Sequence, residues 1–121
     1  TGDVGFGSDL AERTDRPILS GDDFTFMPLI ACCGRVVISV VSNVAPKMTS
    51  ELCAAALEGA TANAARLHHR LMPLVHYLFS DSNPVPCKAA MAAMGLCTTE
   101  VRLPLAPAAE PTPPELLAGL S

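Results

Sequence analysis

The residues with the clearest chemical potential in this 121-residue chain lie in two short tracts. Ser20-Gly21-Asp22-Asp23 and Ile38-Ser39-Val40 flank a helix-length apolar segment. Gly21 would let a ligand approach the backbone closely. Asp22 could cap a helix, stand beside a ligand, or do both. Other reactive types are sparse. The only lysines, Lys47 and Lys88, fall in the first turns of expected helices and read as solvated side chains. His68, His69 and His76 invite a metal reading, but no carboxylate or thiol joins them at ligand spacing, so no metal site is expected. Gly2, Gly5 and Gly7 resemble a phosphate loop only superficially, because the following Lys-Ser/Thr and the preceding strand are missing. Cysteines at 32, 33, 53, 87 and 97 are odd in number and lack a CxxC pair, which predicts reduced core thiols of a cytosolic protein rather than disulfides or zinc. Cys32 and Cys33, adjacent at a helix end, read as packing residues.

The elements that position these tracts follow from periodicity. A short helix is expected near Ser8 to Arg13, with Ser8 as its cap. Pro17-Ile18-Leu19-Ser20 reads as a strand, with Pro at its first position. Asp22 or Asp23 caps a helix through Phe24, Leu29 and Cys33 that Gly34 should end. The β-branched run Val36 to Val41 predicts a strand buried on both faces, as in a parallel sheet covered by helices. Past a loop at Ser42-Asn43, a helix opens near Pro46 and ends at Gly59, with Met48, Leu52, Cys53, Ala56 and Leu57 at helical spacing. A second helix spans about Ala62 to Phe79, where Pro73 should kink it near His69. A third covers Pro86 to Met94, closed by Gly95, and a Pro-rich tail leads to a short helix from Pro114 to Leu120. One strand–helix–strand unit followed by helices defines an α/β chain. Two strands alone leave two open edges, which need covering.

Composition bounds the partners. Apolar residues make up 50% and charged residues 17%, below the roughly 25% of an average soluble domain, so apolar surface should be buried against something else. The net charge of −4, with eight scattered basic residues, argues against nucleic acid or an anionic membrane as partner. No apolar run approaches the roughly 18 residues of a membrane span, and no signal peptide is visible. A cytoplasmic location is expected. The chain opens without Met in a Gly-rich turn, and so reads as the rear part of something longer.

Five motifs in order carry a family resemblance. Ser20-Gly21-Asp22-Asp23, Val37-Ile38-Ser39-Val40 with Asn43-Val44-Ala45-Pro46, Arg70-Leu71-Met72-Pro73-Leu74, Asn83-Pro84-Val85-Pro86-Cys87-Lys88 and Arg102-Leu103-Pro104-Leu105 resemble the C-terminal part of the 4-hydroxy-tetrahydrodipicolinate synthase (dihydrodipicolinate synthase) family. The similarity covers nearly the whole chain. It implies the last two strand–helix units of a TIM (β/α)8 barrel in residues 1–44 and a C-terminal helical domain in 45–121. Such barrels take about 250 residues.

The resemblance also implies chemistry. The family is a lyase that condenses pyruvate with aspartate semialdehyde in lysine and diaminopimelate biosynthesis, through a Schiff base on a strand-end lysine, without metal or cofactor. Complete members form homotetramers. Thr1-Gly2-Asp3 resembles the residues just after that lysine, which is expected just before Thr1, so no residue of this chain is assigned as catalytic. Neither Lys47 nor Lys88 matches it, and Tyr77 does not match the family's proton-transfer residues. By resemblance Ile38 presents its carbonyl near pyruvate, while Gly21 and Asp22 lie at the mouth near the second substrate. For Ile38, plain core burial is the competing expectation. Val36 stands where relatives usually carry Gly, and Val41-Ser42 where they carry Thr-Ala, which bears on strand register. Two rival readings are another aldolase of the superfamily, such as an N-acetylneuraminate lyase, and a non-catalytic helical interaction module.

Overall fold

The computed structural model describes residues 2–120. Helix α1 (Val4–Ala11) begins four residues before the expected Ser8, because Asp3 caps it by accepting the Phe6 N–H. Gly5 and Gly7 are helical residues, so the glycine-rich opening is no loop. Gly7 is buried where α1 meets α2 (Phe26–Cys32): a Cβ on Gly7 would lie 2.5 Å from Leu29 Cδ1.

Strands β1 (Ile18–Ser20) and β2 (Gly34–Val37) pair in parallel, joined by α2. This is the strand–helix–strand unit that the sequence predicts. Its details differ in three ways. Gly34 does not end the helix but opens β2, where a Cβ would meet Leu29 and Ile30 backbone at 3.1 Å. The strand is four residues long and stops at Val37, because Val40 and Val41 adopt helical backbone leading into a 3-10 turn at Val41–Asn43. The β-branched run is also not buried on both faces: Val36 is 50% and Ile38 71% exposed. The sheet has only two strands among the described residues, so no neighbour covers that edge. The register carries an irregularity between Ile18 and Leu19, where pairing passes from Gly34 directly to Val36.

The C-terminal helices follow the expected plan. Helix α3 (Pro46–Leu57) starts on a proline that needs no N–H partner there. Helix α4 (Thr61–Leu78) continues through Pro73. Helices α5 (Val85–Ala93) and α6 (Pro114–Leu117) complete the chain. Gly59 and Gly95, just past α3 and α5, take φ of +74° and +75°, a conformation only glycine adopts without strain. Along α4, Leu67, Leu71, Leu74 and Leu78 form the buried stripe that helical spacing predicts. It joins Phe26 and Ile30 of α2, Val41 and Val44, and Leu52 of α3 in one apolar core. The tail is tied back to α4, because the Tyr77 hydroxyl lies 2.8 Å from Thr112 Oγ1 and Arg70 donates to the Gly119 carbonyl at 2.8 Å. No helix among the described residues is long and apolar enough to cross a membrane.

Candidate functional site at the strand ends

Parallel strands present their C-terminal ends on one side, and the two chemical tracts meet there. The Ile38 N–H donates to the Ser20 carbonyl at 2.9 Å and so extends the pairing one residue past β2. Ser20 is buried, and its hydroxyl donates to the Asp22 carbonyl and accepts the Asp22 N–H, both at 3.2 Å. This closes a tight turn that leaves Gly21 exposed at the rim. Asp22 is half-buried, and its Oδ1 accepts the Phe24 N–H at 2.7 Å and the Thr25 N–H at 3.1 Å. Asp22 thus caps the turn that leads into α2, whose own N-cap residue, Thr25, makes no side-chain cap bond. Ile38 is 71% exposed in this chain and lies outside its apolar core.

The N-terminal segment reaches the same place. Thr25 Oγ1 donates to the Gly2 carbonyl at 2.7 Å. Gly2 lies so close to Asp22 that an added Cβ would fall 2.8 Å from Asp22 Cβ and 2.9 Å from Oδ2. Gly2, the Gly21-Asp22 turn and Ile38 are thus gathered around the strand ends, the position at which α/β folds bind ligands.

Sequence reasoning treated Asp23 only as an alternative cap. The carboxylate is instead 1% exposed, and its Oδ2 accepts the N–H groups of Val40 at 2.8 Å and Val41 at 3.1 Å, across the sheet end. Its Oδ1 has no partner among the described residues. Only the pairing of two acidic residues hinted at this, since either could have been the cap. Thr25, which holds Gly2, carried no signal at all.

Two thiols feel the Asp23 charge. Burial foremost, and then Asp23, pushes the Cys53 thiol up. Burial, then Cys97, then Asp23 do the same for Cys87. All five cysteines are free, but only Cys87 is fully buried and Cys32 is exposed, which corrects the expectation of uniformly buried thiols. Among the described residues no cluster of His, Cys, Asp and Glu could hold a metal. His76 packs edge-on against Phe24, and His68 faces Phe26 and His69. Lys47 lies exposed at the start of α3, and Lys88 is half-buried in α5. A groove of about 750 Å³ is lined by Lys88, Glu100, Arg102 and Leu105, and none of its residues belongs to the strand-end turns.

A parallel strand–helix–strand unit with polar turns at the strand C-termini, backed by consecutive helices, defines an α/β protein, a class of fold in which ligands generally bind beyond the strand C-termini. Residues 8–121 match the Dihydrodipicolinate synthetase family model, and the chain belongs to this family. A 4-hydroxy-tetrahydrodipicolinate synthase from Thermomicrobium roseum is 48% identical over 104 residues, covering 86% of this chain and 34% of that protein. A second, from Maridesulfovibrio salexigens, is 43% identical over 99% of this chain and 42% of its own length. The chain thus spans about a third to two fifths of these curated relatives. Among solved structures, the chloride-inhibited dihydrodipicolinate synthase from Acinetobacter baumannii, in complex with pyruvate, superposes with a TM-score of 0.85 at 41% identity. The match covers 91% of this chain and 38% of that one.

Proposed function

We propose that these residues form the C-terminal wall of the active-site mouth in a 4-hydroxy-tetrahydrodipicolinate synthase. The complete protein would be a lyase that joins pyruvate to aspartate semialdehyde through a lysine Schiff base. Residues 1–44 belong to a (β/α)8 barrel and 45–121 to its helical domain. Gly21 and Asp22 face the second substrate, and the Ile38 carbonyl faces pyruvate. A homotetramer is part of the same reading. The observation that carries it is the convergence of Gly2, Asp22 and Ile38 at the parallel strand ends. The exposed Leu19, Val36 and Ile38 support the barrel, since further strands would cover them.

Schiff-base catalysis needs a desolvated lysine with depressed basicity. Lys47 is solvent-exposed on a helix, and Lys88 is half-buried on helix α5 and does not end a strand. Neither is the nucleophile, and the 121 residues alone do not catalyse the condensation. Borohydride trapping with pyruvate tests this directly. No lysine of the isolated chain should be labelled. A fusion in which these residues replace the matched segment of the Thermomicrobium roseum synthase should trap pyruvate on a lysine outside them. Labelling of Lys47 or Lys88, or a folded fusion that traps nothing, would overturn the reading.

A further inference from the structure

The Ile38 carbonyl is useful to a ligand only if its direction is fixed, yet Ile38 lies past the end of β2 with its side chain in solvent. Two anchors bracket it. Before the carbonyl, the Ile38 N–H is held by the Ser20 carbonyl at 2.9 Å. After it, the Val40 and Val41 N–H groups both donate to Asp23 Oδ2, at 2.8 and 3.1 Å. Ser39 is fixed as well, because its Oγ accepts the Ser42 N–H at 2.9 Å while its carbonyl accepts from the Ser42 hydroxyl at 2.9 Å. We propose that Asp23 is a positioning residue: its buried carboxylate sets the direction of the Ile38 carbonyl, and through it the affinity for the α-keto acid substrate. This rests on the reading of Ile38 given under Proposed function.

The physical case is that a carboxylate 1% exposed has been placed where solvent cannot compensate it. Two converging N–H donors at the start of a 3-10 turn form the electrostatic counterpart of a helix N-terminus. Asp23 is also contiguous in sequence with Asp22 and Gly21, so one turn organises both substrate-facing tracts. Nothing else described reaches from the α2 end to the Val40 and Val41 amides. Removing this acceptor frees the Val40 end of the segment, leaving Ile38 held at Ser20 alone.

The test uses the 121-residue chain and the fusion described above, each unsubstituted and carrying D23A or D23N. Asparagine keeps a carbonyl oxygen that can accept both amides, whereas alanine keeps none. In the unsubstituted chain the Val40 and Val41 amides should exchange slowly with solvent. In D23A they should exchange faster, and the carbon-13 shift of the Ile38 carbonyl should move. In the fusion, D23A should raise KM for pyruvate by roughly tenfold to a hundredfold, as expected for a misdirected contact, with a smaller change in kcat. D23N should recover most of both effects. Rapid exchange at Val40 and Val41 in the unsubstituted chain would overturn the proposal, as would an unmoved Ile38 shift in D23A. Failure of D23N to recover the D23A losses would overturn it too. If D23A moves the Ile38 shift while KM stays unchanged, the anchor stands and the pyruvate role of Ile38 falls.

Discussion

The Thr25 hydroxyl donates to the Gly2 carbonyl at 2.7 Å, fastening the N-terminal segment to the turn that carries Asp22. Removing the hydroxyl should cost about 1 kcal/mol, the usual net worth of one such bond. Thr25→Val should therefore lower the urea midpoint slightly and raise amide exchange at residues 3–7, because α1 is released from the sheet end. Thr25→Ser should behave like the unsubstituted chain. Exchange that rises equally across α4 would show general destabilisation instead, and would refute the local tie.

Gly7 makes the second demand on α1. A Cβ there would stand 2.5 Å from Leu29 Cδ1, and Leu29 is fully buried. Gly7→Ala should destabilise by about 1–3 kcal/mol, the usual range for overpacking, despite alanine's better helix propensity. Leu29→Val shortens the obstructing side chain and should recover part of that loss in the double variant. Denaturant melts of the four species give the coupling energy. Strict additivity would mean that α1 does not pack on α2 at this point.

Much of the architecture was legible because it rests on local chemistry. Gly59 and Gly95 marked helix ends, Pro46 marked a helix start, and the leucine spacing of α4 marked its buried face. The strand–helix–strand unit followed from the same pattern, whereas the expectation that Gly21, Asp22 and Ile38 lie at its mouth came from the family resemblance. Expectations failed where a distant partner overrode local preference. Val40 and Val41 have strong strand propensity, yet two hydrogen bonds to Asp23, seventeen and eighteen residues away, turn them into a helical corner. Gly34 looked like a helix stop, but its lack of a side chain instead lets β2 pass against Leu29 and Ile30. The N-terminal helix began early because Asp3, not Ser8, supplies the cap.

Cysteine reactivity should follow burial and the Asp23 field. Cys32 is exposed, whereas Cys87 is buried with its thiol pushed up by burial, then by Cys97 and Asp23. Thiolate is the reactive form, so Cys87 is disfavoured on both counts. Limited maleimide labelling of the native chain at pH 7, read by peptide mass spectrometry, should modify Cys32 first and Cys87 last. Adding urea should abolish the order. Early labelling of Cys87 in native buffer would show that its contact with the Val40 carbonyl, at 4.0 Å, opens readily.

His68 should make stability pH-dependent on the acid side. Burial, and then the neighbouring His69, hold its pKa below the ordinary value of 6.5, and its buried Nδ1 has no partner among the described residues. A depressed histidine pKa means that the unfolded chain binds the proton more readily than the folded one. The stability linked to His68 is therefore complete above about pH 6.5 and is lost as pH falls from there through the lower folded value. Urea midpoints should stay level from pH 8 to 7 and decline towards pH 5.5, above the range in which ordinary carboxylates titrate. His68→Gln cannot gain the charge and should flatten that decline, while His69→Gln removes the repelling neighbour, brings the folded value closer to the ordinary one, and should make the decline shallower without abolishing it. A decline that persists unchanged in His68→Gln would assign the acid sensitivity to another group.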